Sequence, residues 1–112
     1  MPPVRTRRHA MAYLTAPDRA AARRIVRIVL AARLAACANL VPIASDYWWR
    51  GSVEHAKEVL VVFKTRRALV PRLPAAVRAA HPYEVPCVVT YAMDAGSASY
   101  LAWIDRETRR QR

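Results

Sequence analysis

A chain of 112 residues with 54% hydrophobic composition has room for one domain with its own core, and its two glycines exclude a glycine-rich phosphate loop. Its 19 basic residues against 8 acidic ones give a formal charge of +11; most of the excess is arginine, and Arg5, Arg7, Arg8, Arg106, Arg109, Arg110 and Arg112 crowd the two ends, so it reads first as solvated tails over about 1–7 and 107–112 of a single domain, 1–112. Cys37 and Cys87 lack CxxC spacing, which excludes a zinc ribbon or disulfide framework, and no apolar run approaches the ~18 residues that cross a bilayer, so a reducing, cytoplasmic home is the default.

The stretch Arg8 to Thr15, RHAMAYLT, reads as a strand rather than a signal peptide, because Ala16-Pro17-Asp18 stops it and periodic sequence follows at once. Pro17 falls near the first helical position and Asp18 in the first turn, where the helix dipole favours an anion. In the following helix Ala21, Ile25, Ile28, Val29, Ala32 and Ala36 share a core stripe, with Arg23 and Arg27 on the far side. Val26 and Leu30 fall off that stripe and point to a second covering surface.

CANLVPIASDYWWRG reads as extended, with Pro42 marking a bulge or a change of direction. A hairpin about Gly51 leads to EHAKEVLVVFKT, whose apolar run from Val59 to Phe63 suits a strand buried on both faces. Leu69, Leu73, Ala76, Val77 and Ala80 then share a helical face, and the regular helix starts between Pro71 and Pro74, since an interior proline lacks the amide. VPCVVTYAM is the last strand, begun by Tyr83, Glu84 and Val85. Ser97 caps a final helix bearing Leu101, Trp103 and Ile104. The order predicts an α+β fold, a ferredoxin-like βαββαβ sandwich with an antiparallel sheet and an extra C-terminal helix.

Tyr47, Trp48 and Trp49 are adjacent, and neighbours on a strand face opposite ways, so one sheet face cannot cover all three. Catalytic inventory is thin. His9, His55 and His81 have no metal-ligand rhythm, and nothing like a nucleophile elbow surrounds Ser97, so an enzyme is not indicated. HPYEVPC is the densest polar cluster: His81, Glu84 and Cys87 offer an imidazole, a carboxylate and a thiolate within seven residues, enough for one borderline metal ion. A structural reading stands beside it, with His81 stabilised at a helix end, Tyr83 packing and Glu84 paired with an arginine.

TAPD, ARLAACANLVP, YWWRG, EVLVVFKT, HPYEVP and GSASYLAWI, in this order from about Leu14 to Ile104, resemble the CutA family of divalent-cation tolerance proteins. The resemblance implies a non-enzymatic homotrimer associated with copper and other divalent metals and similar in architecture to the PII regulators. It implies that Tyr47, Trp48 and Trp49 are covered by a neighbouring subunit, as are Val26 and Leu30, and that Tyr83 lies in a cleft. The sequence departs from the family where some members carry a Cys before TAPD and a His pair before PYE: these positions hold Leu14 and Ala80, leaving His81. Cys87 replaces a common Glu, Ile43 a Gly, while Cys37 matches the family's Cys as either a ligand or a packing residue.

Two functions compete. One is a trimeric protein binding Cu2+ or another divalent metal at His81, Glu84 and Cys87, with Cys37 next in line, and responding to metal ions, with an unnamed protein partner and no membrane. The other is a PII-like regulator that binds a small anionic metabolite between subunits. Nucleic acid ranks last, because no stacking-aromatic motif accompanies the arginines.

Overall fold

The computed structural model describes residues 2–109; Met1 and, in the expected C-terminal tail, Arg110 and Arg112 lie outside the described residues. The chain runs β1 (Val4–Arg5), β2 (His9–Ala16), α1 (Arg19–Ala31), β3 (Cys37–Trp49), β4 (Ser52–Arg66), a 3-10 turn (Arg67–Arg72), α2 (Leu73–Arg78), β5 (Val88–Ala92), β6 (Ala95–Gly96) and α3 (Ala98–Glu107). Four strands form one antiparallel sheet in the order β3-β4-β2-β5. Alternation along β2 sends Ala12, Leu14 and Ala16 to one face, opposite Phe63, Val61 and Val59 of β4. Ile25 and Val29 of α1 and Leu73 and Val77 of α2 close the core over that face.

Helix boundaries follow local chemistry. Asp18 caps α1 rather than lying in its first turn: its carboxylate accepts the Ala21 amide at 2.8 Å. The helix ends where the Arg33 amide reaches the Leu30 carbonyl and the Leu34 amide the Val29 carbonyl, both at 3.0 Å. That closure needs a left-handed residue, here Arg33 at φ 58, which its guanidinium ties to the Glu107 carbonyl at 3.1 Å. The regular part of α2 starts at Leu73, between Pro71 and Pro74 as the missing amides require.

Five expectations are corrected. Val26 is buried and Leu30 packs against the same core, so neither needs a neighbour; Ile28, expected inside, is 41% exposed. The N-terminal segment is not a loose tail: β1 pairs with β6, and Arg5 reaches the Asp94 carboxylate at 3.2 Å. Pro42 makes no bulge, since the β3–β4 register is continuous from Cys37↔Lys64 to Trp49↔Ser52. The last strand starts at Val88 rather than at Tyr83, because Pro82 and Pro86 withhold amide donors from the preceding segment.

β2 stops pairing at Ala16↔Val59, but β3 and β4 continue from Ile43↔Glu58 to Trp49↔Ser52. This two-stranded arm projects roughly 24 Å at ~3.4 Å per residue. Its tip is a two-residue turn with both central residues at positive φ, Arg50 at 51° and Gly51 at 85°. A Cβ at Gly51 meets nothing within 4 Å, so Gly51→Ala carries a purely conformational penalty. We expect a loss of about 1–2 kcal/mol, read as a lower urea midpoint at unchanged slope.

Candidate functional site

Where the arm leaves the sheet, a groove of about 700 Å³ opens between Ser45–Trp49, Tyr13 and Thr15 of β2, and the Pro82–Cys87 segment. Register explains the convergence. Tyr47 and Trp49 share a strand face with Glu58, and Tyr13 and Thr15 lie on the same face of β2, the one without α1 and α2. Asp46, Glu58 and Glu84 are among its lining residues and no Lys or Arg of the described residues is, although by register Asp46 falls on the opposite strand face from Glu58.

Glu58 is only 8% exposed, and a buried carboxylate needs donors. Tyr83 supplies one, its hydroxyl donating to Glu58 Oε2 at 2.6 Å. Burial and then this bond push the Tyr83 phenol well above its ordinary value, since ionising it would forfeit the donor and add a second negative charge. The other two carboxylates are exposed and paired: Asp46 with His55 Nδ1 at 2.6 Å, Glu84 with Arg50 Nη2 at 3.1 Å. Such exposed pairs are worth at most ~1 kcal/mol and yield readily to a better partner. Cys87 lines the groove, and the Tyr13 phenol is raised first by its charge interaction with Cys87 and then by burial and a hydrogen bond to that side chain.

Both ring nitrogens of His81 contact backbone groups. Its Nε2 lies 2.7 Å from the Thr15 carbonyl, an acceptor, so Nε2 carries the proton; its Nδ1 accepts the Tyr83 amide at 3.1 Å. The single lone pair of the neutral ring is therefore committed to backbone, and His81 pins the Pro82–Cys87 segment to β2. Cys37 sits at the start of β3 with its Sγ 3.4 Å from the Tyr100 hydroxyl, outside the groove. Leu14 lies in the core and Ala80 packs against it. Among the described residues no group of three or more His, Cys, Asp or Glu is arranged to hold a metal ion. Of the residues named from sequence, Tyr47, Trp48, Trp49, Tyr83, Glu84 and Cys87 meet at the groove. Glu58 was missed, although its spacing from Leu60 and Val62 places it on their face.

The phenols carry a pH signature. Tyr100 is pushed up to about 12 by burial and by its bond to Cys37, and Tyr13 and Tyr83 are raised too. A tyrosine raised on folding contributes stability that is fully present below its unfolded value of 10.0 and is lost as pH climbs through the folded value. Urea unfolding should therefore show stability falling from about pH 10 upward, and Tyr83→Phe should flatten that fall.

A sheet in the order β3-β4-β2-β5 with both crossover helices on one face defines a ferredoxin-like α+β protein, here lengthened by a hairpin arm over an acidic groove. Residues 10–107 match the family described as CutA1 divalent ion tolerance protein, and the chain belongs to it. It is 39% identical over 98 residues to the divalent-cation tolerance protein CutA of Pyrococcus horikoshii, covering 88% of this chain and 96% of that one. It is 44% identical to human Protein CutA over 98 residues, covering 87% of this chain and 55% of the human one, so it spans about half of that relative. Among solved structures, CutA1 from Oryza sativa superposes with a TM-score of 0.88 at 37% identity, covering 93% of this chain and 96% of that one. The periplasmic divalent cation tolerance protein CutA from Archaeoglobus fulgidus has the same score and identity, covering 90% and 99%.

Proposed function

We propose that the chain is a homotrimeric, non-enzymatic protein that takes up a divalent cation, copper(II) or another borderline ion, at the groove beneath its hairpin arm. One observation carries the reading: in a chain of formal charge +11, Glu58 and Glu84 line a single groove, Glu58 buried with no ion-pair partner among the described residues and Glu84 held only by an exposed pair with Arg50. Local field, not net charge, decides which ion gathers there. Carboxylate oxygens from Glu58 and Glu84 and the Cys87 thiolate supply a mixed O/S donor set that suits such ions. The arm cannot bury its aromatics alone, and a neighbouring subunit that covers it would bring further donors to the same place.

The names of the Pyrococcus and Archaeoglobus relatives, divalent-cation tolerance proteins, support the metal reading. Both cysteines are free thiols, which suits a reducing, cytoplasmic compartment, and no helix of the described residues is long and apolar enough to cross a membrane. A PII-like site for an anionic metabolite in the same groove is disfavoured by its carboxylates. Native mass spectrometry with Cu2+, Zn2+ and nucleotides tests both readings together. We expect trimers carrying up to one Cu2+ per subunit, with affinity reduced at least tenfold in Glu58→Gln and Cys87→Ser. A monomer, nucleotide adducts in place of metal, or copper binding indifferent to both substitutions would overturn the reading.

A further inference from the structure

The basic residues are not spread evenly. Two Arg-Arg pairs distant in sequence, Arg7-Arg8 and Arg66-Arg67, meet at the end of the sheet farthest from the arm. The β2–β4 register brings them together: His9 faces Arg66, and one step further the Arg67 amide bonds the Arg8 carbonyl at 2.8 Å. The four arginines, with Ala68, surround a groove of about 450 Å³.

Like charges placed opposite one another across a strand pair destabilise it. Among the described residues the only carboxylate in contact is Asp105, 3.6 Å from Arg8 and already 2.9 Å from the ring of buried His9. Two of the guanidiniums are fixed by the fold. Arg66 donates from Nε to Thr108 Oγ1 at 2.8 Å and from Nη2 to the Thr108 carbonyl at 3.1 Å, and Arg67 donates from Nη1 to the Arg7 carbonyl at 3.2 Å. Donors held in place before binding lose little freedom when an anion arrives, and guanidinium forks match phosphate oxygens in pairs.

We propose that this groove binds a short polyphosphate chain, recognised by its phosphates alone. Four arginines around one groove, with a single carboxylate against one of them among the described residues, call for a ligand with several charges in a short span. Lining by arginines and one alanine offers no aromatic surface on which a base could stack. The site lies apart from the acidic groove and shares no residue with it, so it stands or falls separately from the metal reading.

Calorimetry on the full chain at physiological salt, with orthophosphate, tripolyphosphate, ATP and a single-stranded oligonucleotide as probes, tests the proposal. Tripolyphosphate should bind at least tenfold more tightly than orthophosphate and about as tightly as ATP. Arg7→Gln with Arg67→Gln should weaken it tenfold or more, whereas Arg23→Gln with Arg27→Gln on exposed α1 positions, removing equal charge, should leave it unchanged. Circular dichroism on both pairs establishes that they fold, and Arg7→Lys with Arg67→Lys, which keeps charge but removes the planar fork, should still lose affinity. No tripolyphosphate binding, equal losses in the two Gln pairs, a tenfold preference for ATP, or tighter binding of the oligonucleotide through the same arginines would each overturn it.

Discussion

Trp48→Ala should convert the proposed trimer largely to monomer at micromolar concentration, with little change in the fold of each subunit. Trp48 is 75% exposed in the single chain, and Tyr47 and Trp49 beside it are 42% and 37% exposed. A Trp side chain offers up to about 250 Å², so covering the open part of Trp48 would remove roughly 190 Å² from water, worth at most about 5 kcal/mol at ~25 cal/mol per Å². Truncating a central aromatic anchor of an interface costs on the order of 2–4 kcal/mol. The arm's need for cover is independent of that sum, because an isolated two-stranded ribbon is marginal in water. Sedimentation velocity on wild type and variant decides the matter: a wild type that runs as a monomer, or a variant that stays trimeric, removes the arm from the assembly.

His81→Ala should lower stability by about 2–4 kcal/mol while leaving copper affinity per folded subunit unchanged. The ring joins two partly buried backbone groups, the Thr15 carbonyl and the Tyr83 amide, and each loses its partner on truncation. An unsatisfied buried polar group costs about 1–3 kcal/mol. The ring also lies tilted against Tyr83 with centroids 4.7 Å apart, and truncation to Ala removes that packing too. Urea unfolding paired with copper calorimetry separates the roles. If His81 were a ligand, affinity would fall with stability in hand; as a structural tie, the reverse holds.

Sequence reasoning succeeded where the deciding chemistry is local. Gly51 marked the hairpin, Pro71 and Pro74 bracketed the start of α2, and the spacing of Ile25 and Val29 identified the face of α1 that meets the core. It faltered where the partner lies far along the chain. The burial of Val26 was legible in its spacing from Ala22 and Val29 but needs a core stripe centred one position over, and two-residue β1 carries no periodicity to betray its pairing with β6. The same limit governs the site. His81, Glu84 and Cys87 were grouped because they are close in sequence, and the contact of His81 with Thr15, 66 residues away, is not legible there. Glu58 escaped notice because the donor it accepts from, Tyr83, is 25 residues distant.

Pro42 has a bearing on what else the sheet can join. In a two-residue hairpin the closing pair, here Trp49 and Ser52, is hydrogen bonded to its partner strand, and alternate residues back along β3 follow suit. Counting back from Trp49, position 42 belongs to the set whose amides point outward, along the open border of the sheet. A proline there leaves a gap in the row of donors midway along a thirteen-residue strand. An incoming strand can dock on the aromatic side of the gap or on the Cys37 side, but cannot run the full length. The border thus admits a short, terminated pairing and resists the open-ended templating by which long unprotected edges seed fibrils.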